Sequence, residues 1–203
     1  MTRGFLPLLA LVIAVGLSTL GFATFGFRVV TTEGARRLAV EHHPRPVPDV
    51  VLVDQNGRHF TLAAYRGETL LVEFIYTSCP TICGVLGDDF GRVLATLDAD
   101  GDPRRVALLS ISFDPARDGP EALRSYAERF GASAPGWRVA VPATRSGLEA
   151  LLKRFGVVVI PDRFGGFTHD AAVYLVDGRG RLVRILDPGP PATLLAEAAH
   201  RVS

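Results

Sequence analysis

The sequence predicts an α/β fold, and three observations carry that expectation. Two continuous apolar runs, Leu70 to Tyr76 and Arg105 to Phe113, have the β-branched and aromatic character of buried strands. Between them Val85, Leu86, Phe90, Val93, Leu94 and Leu97 fall at helical spacing, which makes a βαβ unit. Two turn signals, Asp54-Gln55-Asn56-Gly57 and Asp177-Gly178-Arg179-Gly180, each join a pair of short strands into a hairpin, one at each end of the domain.

The chain has 203 residues, 22 basic against 21 acidic side chains, and two cysteines. A net charge near zero implies no nucleic-acid partner. The length suits one good-sized domain plus a targeting or linker segment. Arg3 precedes an uncharged apolar stretch, Gly4 to Phe27, that ends at Arg28. As a helix this stretch is long enough to span a bilayer core. A cleaved signal peptide competes, with Phe5 to Leu17 as its core and Gly21-Phe22-Ala23 as a weak cleavage site. The transmembrane helix is preferred because the run exceeds a usual signal core, and no nearby cysteine offers a lipid anchor. Either reading carries the rest of the chain out of the cytoplasm. The expected organisation is therefore a membrane anchor or signal segment over 1–28, a linker over 29–47 and a folded domain over 48–203.

The linker ends in His42-His43-Pro44-Arg45-Pro46-Val47-Pro48, read as a stiff extended tether with solvated histidines. The first hairpin pairs Asp49 to Val53 with His59 to Leu62, leaving His59 on the surface. After the βαβ unit, Asp114 ends its strand as a turn former. A helix from Glu121 to Phe130 stops at Gly131, and Trp137 to Val141 is a short strand. Ser146 is expected to cap the helix Gly147 to Phe155, which stops at Gly156. A glycine-containing loop, Pro161 to Phe167, leads through Thr168-His169-Asp170 into the strand Ala171 to Val176. The second hairpin returns as Arg181 to Leu186, and a helix from Pro191 to about Val202 closes the domain, with His200 exposed near its end. This order is that of a thioredoxin-like fold with an added N-terminal β-hairpin.

Chemistry concentrates where the first strand of the βαβ unit meets its helix. Cys79 and Cys83 are the only cysteines, and Pro80 suits a first helical turn. Amides and the dipole at a helix start favour thiolate over thiol. Residues four apart on a helix share a side, close enough for a disulfide or one metal ion. Glu73 is a carboxylate within the apolar strand, six residues before Cys79. Burial would raise its pKa, and thioredoxins carry a proton-relaying acid at this spacing. It is a candidate catalytic residue beside Cys79 and Cys83. In a thioredoxin-like fold the strand after the last loop runs antiparallel beside the cysteine strand. That places His169 across from both thiols as a candidate third metal ligand, where thioredoxins have a cis-proline.

Over about residues 46 to 203 the chain resembles the Sco/SenC family of membrane-anchored thioredoxin-fold copper proteins. The resemblance rests on Phe74-Ile75-Tyr76-Thr77-Ser78-Cys79-Pro80-Thr81-Ile82-Cys83, on Ser112-Phe113-Asp114-Pro115-Ala116-Arg117-Asp118, and on His169 followed by Tyr174-Leu175-Val176-Asp177. It implies copper, as Cu(I) or Cu(II), bound by Cys79, Cys83 and His169. It also implies a copper metallochaperone for the binuclear copper centre of cytochrome c oxidase, whose copper subunit or another copper protein is the partner. Ser78, Thr81 and Gly84 stand where the family usually has histidine, an acid and proline, which alters the outline of a docking surface. Two soft thiolates with an imidazole suit copper, whereas structural zinc would want a fourth ligand. The alternative is an extracytoplasmic thiol–disulfide reductase that keeps a partner's copper-ligand cysteines reduced. His169 argues for the chaperone and Glu73 for the reductase.

Overall fold

The computed structural model describes residues 5–23, 31–79, 82–100, 106–133 and 136–199. Pro80, Thr81, Arg105, His200 and Val202, and residues 4 and 24–27 of the expected span, lie outside them. The chain forms two compact units, residues 1–42 and 43–203.

The first unit holds α1 (Phe5–Ala23), which has no charged residue, and α2 (Thr32–His42). At about 1.5 Å per residue α1 falls slightly short of a bilayer core of about 30 Å. Among the described residues no helix is long and apolar enough to cross a membrane. Helix α2 occupies residues 32–42 of the expected linker over 29–47, for a local reason. Thr31 Oγ1 accepts from Gly34 N at 3.0 Å as an N-terminal cap. The Glu33 carboxylate then accepts from Arg36 and Arg37 at 2.7 and 2.9 Å, three and four residues on.

The second unit is built on an eight-stranded sheet. In chain order its elements begin with β1 (Arg45–Pro46), β2 (Val51–Asp54), β3 (His59–Thr61) and a 3-10 turn over Leu62–Tyr65. The βαβ unit follows as β4 (Thr69–Ile75), α3 (Ile82–Asp100) and β5 (Val106–Ser112). Next come α4 (Pro120–Phe130), β6 (Trp137–Pro142) and α5 (Arg145–Phe155). A separate two-stranded ribbon pairs β7 (Val159–Pro161) with β8 (Phe167–His169). The chain rejoins the sheet through β9 (Val173–Val176) and β10 (Arg181–Leu186), and α6 (Pro191–Ala199) ends it.

The strand order is β1-β10-β9-β4-β5-β6-β2-β3. Strand β4 lies near the middle, parallel to β5 and antiparallel to β9. All seven of its residues are buried, Thr69 and Glu73 along with the five apolar ones. Alternation divides its side chains between two layers. Phe74 packs edge-on against Phe155 of α5 and Tyr174 of β9, with ring centroids 5.2 and 5.6 Å away. On the other side Leu86, Phe90 and Val93 form the buried stripe of α3, and Phe90 meets Trp137 at 5.7 Å. Each such side chain contributes about 1.5–3 kcal/mol by leaving water.

Helices α4 and α5 end at Gly131 and Gly156, whose φ of 75° and 70° few side chains tolerate. The cap of α5 differs from expectation. Thr144, not Ser146, accepts from Gly147 N at 3.1 Å, so the helix begins at Arg145. Thr144 has the extended backbone a cap needs, whereas Ser146 is already inside the first turn.

Candidate metal centre

Strand β4 delivers Tyr76, Thr77 and Ser78 into a turn closed by a bond from Cys79 N to the Tyr76 carbonyl at 3.2 Å. Cys79 is half-buried and Cys83, the second residue of α3, is buried. No disulfide joins them, and Cys83 N donates to Cys79 Sγ at 3.4 Å. A helix-start amide thus points at the first sulfur, as the sequence predicts. The second thiol departs from expectation. Burial, with the neighbouring Cys79 adding to it, pushes the Cys83 thiol up, against a hydrogen bond to the Tyr76 backbone that lowers it.

His169 ends β8, and its Nε2 lies 3.7 Å from Cys83 Sγ. Its other ring nitrogen, Nδ1, is 3.1 Å from the Asp170 carbonyl. A carbonyl only accepts, so Nδ1 carries the proton and Nε2 turns a bare lone pair to the thiols. Burial holds the imidazole below its ordinary value and keeps it neutral, the form a metal ligand needs. One ligand atom each from Cys79, Cys83 and His169 lie within 4.8 Å of one another. Two sulfurs and an imidazole nitrogen that close fit a soft monovalent or borderline divalent ion. The aromatic rings of Phe113 and Tyr76 stand 4.9 and 6.2 Å from the imidazole, and Phe167 packs on both. These three rings wall the centre on one side, a role that neither the apolar runs holding Tyr76 and Phe113 nor the glycine loop holding Phe167 announces.

Glu73 is fully buried on the α3 side of the sheet, and among the described residues it pairs with no arginine. Its Oε1 accepts from Ser110 Oγ at 2.5 Å, and Ser110 accepts from Trp137 Nε1 at 2.9 Å. The parallel register that pairs Glu73 with Ser110 makes this contact. Oε2 has no partner among the described residues. Burial pushes the carboxyl up to about 8, against the opposing Ser110 bond, so at neutral pH it is largely protonated. Asp114 shows what the sequence read as a turn former. Its carbonyl accepts from Arg117 N and Asp118 N, and its carboxylate from Arg117.

Fold and site together define an α/β protein of thioredoxin type that gathers two thiols and one histidine at a strand end. The SCO1/SenC family model matches residues 41–203, and the chain belongs to that family. It is 29% identical over 133 residues to the SCO1 protein homolog of Bacillus subtilis, covering 64% of this chain and 68% of that one. The copper-bound structure of Bradyrhizobium japonicum ScoI is 26% identical, with a TM-score of 0.64 over 77% of this chain and 99% of that one. BsSco, a member of the Sco family of cytochrome c oxidase assembly proteins, shares the fold at a TM-score of 0.68 and 24% identity. That match covers 79% of this chain and 95% of BsSco.

Proposed function

We propose that this chain binds copper through Cys79, Cys83 and His169 and serves assembly of the copper centre of cytochrome c oxidase. The carrying observation is the bare Nε2 of His169 held 3.7 Å from Cys83 Sγ, within a cluster of three donors. Family membership and a copper-bound relative support the metal. Cys83 must shed its proton to bind, so loading releases protons, and the thiols must be reduced beforehand. Cu(I) accepts the low coordination that three donors supply, and the partial exposure of Cys79 suits transfer to a partner. The test is titration of the reduced full chain in detergent with Cu(I) and with Cu(II). One equivalent bound, with a Cu(II)–thiolate absorption band, is the expected result; no saturable binding overturns the reading.

A second reading is favoured by Glu73. A protonated carboxyl buried behind the cysteine helix suits proton transfer during thiol–disulfide exchange, the chemistry of a reductase for a partner's copper-ligand cysteines. Reduction of a model protein disulfide by the metal-free chain, followed at neutral pH, tests it. In both readings the uncharged run through α1 supports a membrane-anchored domain outside the cytoplasm. A reporter active only after export, fused behind Ser203, should be active and fractionate with membranes. An inactive reporter overturns that placement.

A further inference from the structure

The segment Ser112-Phe113-Asp114-Pro115-Ala116-Arg117-Asp118 supplies no ligand atom to the candidate centre, yet it is bonded to both arms that do. The Asp118 carboxylate, 1% exposed, accepts from Thr77 N at 2.8 Å, Thr77 Oγ1 at 2.6 Å and Ser112 Oγ at 2.6 Å. A buried carboxylate is costly unless donors converge on it, and here three do. Thr77 is two residues before Cys79, so these bonds hold the turn that presents the first thiol.

Arg117 reaches the other arm. Its Nη1 donates to the Gly165 carbonyl at 2.5 Å, and its guanidinium lies 5.2 Å from the centre of the Phe167 ring. Its Nε donates to the Asp114 carboxylate. Phe167 begins β8, two residues before His169, and packs on Phe113 and Tyr76 at 5.4 and 5.3 Å. Both anchors grow from one turn, because Arg117 N and Asp118 N each bond to the Asp114 carbonyl, at 3.1 and 2.9 Å.

We propose that Asp118 and Arg117 are positioning residues, Asp118 setting the cysteine turn and Arg117 the histidine strand against one shared reference. Only the metal arm of the proposal rests on the copper reading above. Loss of the Asp118 bonds frees the Thr77 turn and changes how well Cys79 meets Cys83. Loss of Arg117 frees the loop that leads to His169 and leaves the cysteine turn in place.

The two arms are read separately on the full chain. Equilibration with glutathione disulfide joins the two sulfurs as Cys79–Cys83, and the two thiol hydrogens pass to two glutathione thiols. Asp118→Ala should shift that equilibrium constant about tenfold, equivalent to about 30 mV for this two-electron couple. Thr77→Val removes a single donor and should shift it in the same direction by less, which keeps the test available if Asp118→Ala does not fold. Arg117→Ala should leave the constant within about twofold but weaken Cu(II) binding about 10–100-fold, the scale seen when outer partners of ligands are lost. It should also erase the NMR contacts between the His169 ring and the Cys83 β-protons in the metal-free chain, while Arg117→Lys restores them in part. The proposal is overturned if Asp118→Ala and Thr77→Val leave the glutathione constant unchanged. It is equally overturned if Arg117→Ala retains those NMR contacts, or if each variant shifts both arms in proportion to its lost thermal stability. A wild-type chain that binds no Cu(II) would defeat the copper reading instead, and the glutathione and NMR arms would still judge this proposal.

Discussion

His169 Nε2 lies 3.7 Å from Cys83 Sγ although 86 positions separate the two residues. The contact exists because β9 runs antiparallel beside β4, which brings the chain entering β9 back to the end where β4 releases its cysteines. A disulfide needs only the two sulfurs, whereas a three-donor metal site needs the imidazole as well. The two chemistries are therefore separable by mutation.

His169→Ala should weaken copper binding by more than the roughly 10–100-fold that loss of an outer partner costs, and abolish the Cu(II)–thiolate band. The cysteines should still cycle between dithiol and disulfide. Cys79→Ser or Cys83→Ser should end both activities, because each sulfur serves both. Copper titration beside glutathione equilibration distinguishes the cases. An alanine variant that binds copper like wild type would remove His169 from the ligand set.

Glu73→Gln should change both stability and kinetics with pH. The folded carboxyl titrates near 8, above the ordinary 4.5. Between those values the unfolded chain has already lost the proton that the folded chain keeps, so stability falls as pH rises through the window. The slope reaches up to about 1.4 kcal/mol per pH unit and flattens above the folded value. Gln cannot ionise, and its urea-unfolding stability should lack this slope. Thiol–disulfide exchange should slow near neutral pH with copper affinity changed much less. Equal exchange rates for wild type and variant across pH would leave Glu73 a structural residue.

Gly91→Ala tests the packing of the cysteine helix. Helix propensity alone favours alanine by up to about 1 kcal/mol. A Cβ there would stand 2.8 Å from the Phe130 carbonyl oxygen, a backbone atom at the end of α4 that cannot rotate away. Overpacking of this kind costs about 1–3 kcal/mol, so the variant should be net destabilised in thermal or urea unfolding. A stabilised variant would show that α3 and α4 can part at no cost.

Thr144→Ala should cost about 1 kcal/mol through loss of the α5 cap. Ser146→Ala should cost little, since Ser146 is exposed within the first turn. Paired unfolding measurements decide, and the reverse ranking would move the cap to the residue the sequence suggested.

Residue order alone determined most of the frame. The apolar run of β4, the helical spacing after Cys83, the Asn-Gly turn and the two glycine stops are local signals, each legible because its physics acts within a few residues. The thiol pair was equally plain, as two cysteines beside one strand end need no distant information. Tertiary structure alone decided the rest. The 3.7 Å contact to His169 depends on a strand more than eighty positions away finding its place beside β4. The state of Glu73 depends on Ser110, a partner supplied only by the β4–β5 register, and on burial from every side. The raised Cys83 thiol likewise reflects depth, which depends on what the whole fold packs over it. Asp118 stood in a recognisable motif, but its hold on Thr77 crosses 41 positions and appears only once β4 and β5 lie side by side. Local propensity is written in neighbouring residues, whereas desolvation and long-range hydrogen bonds depend on which surfaces the whole chain closes together.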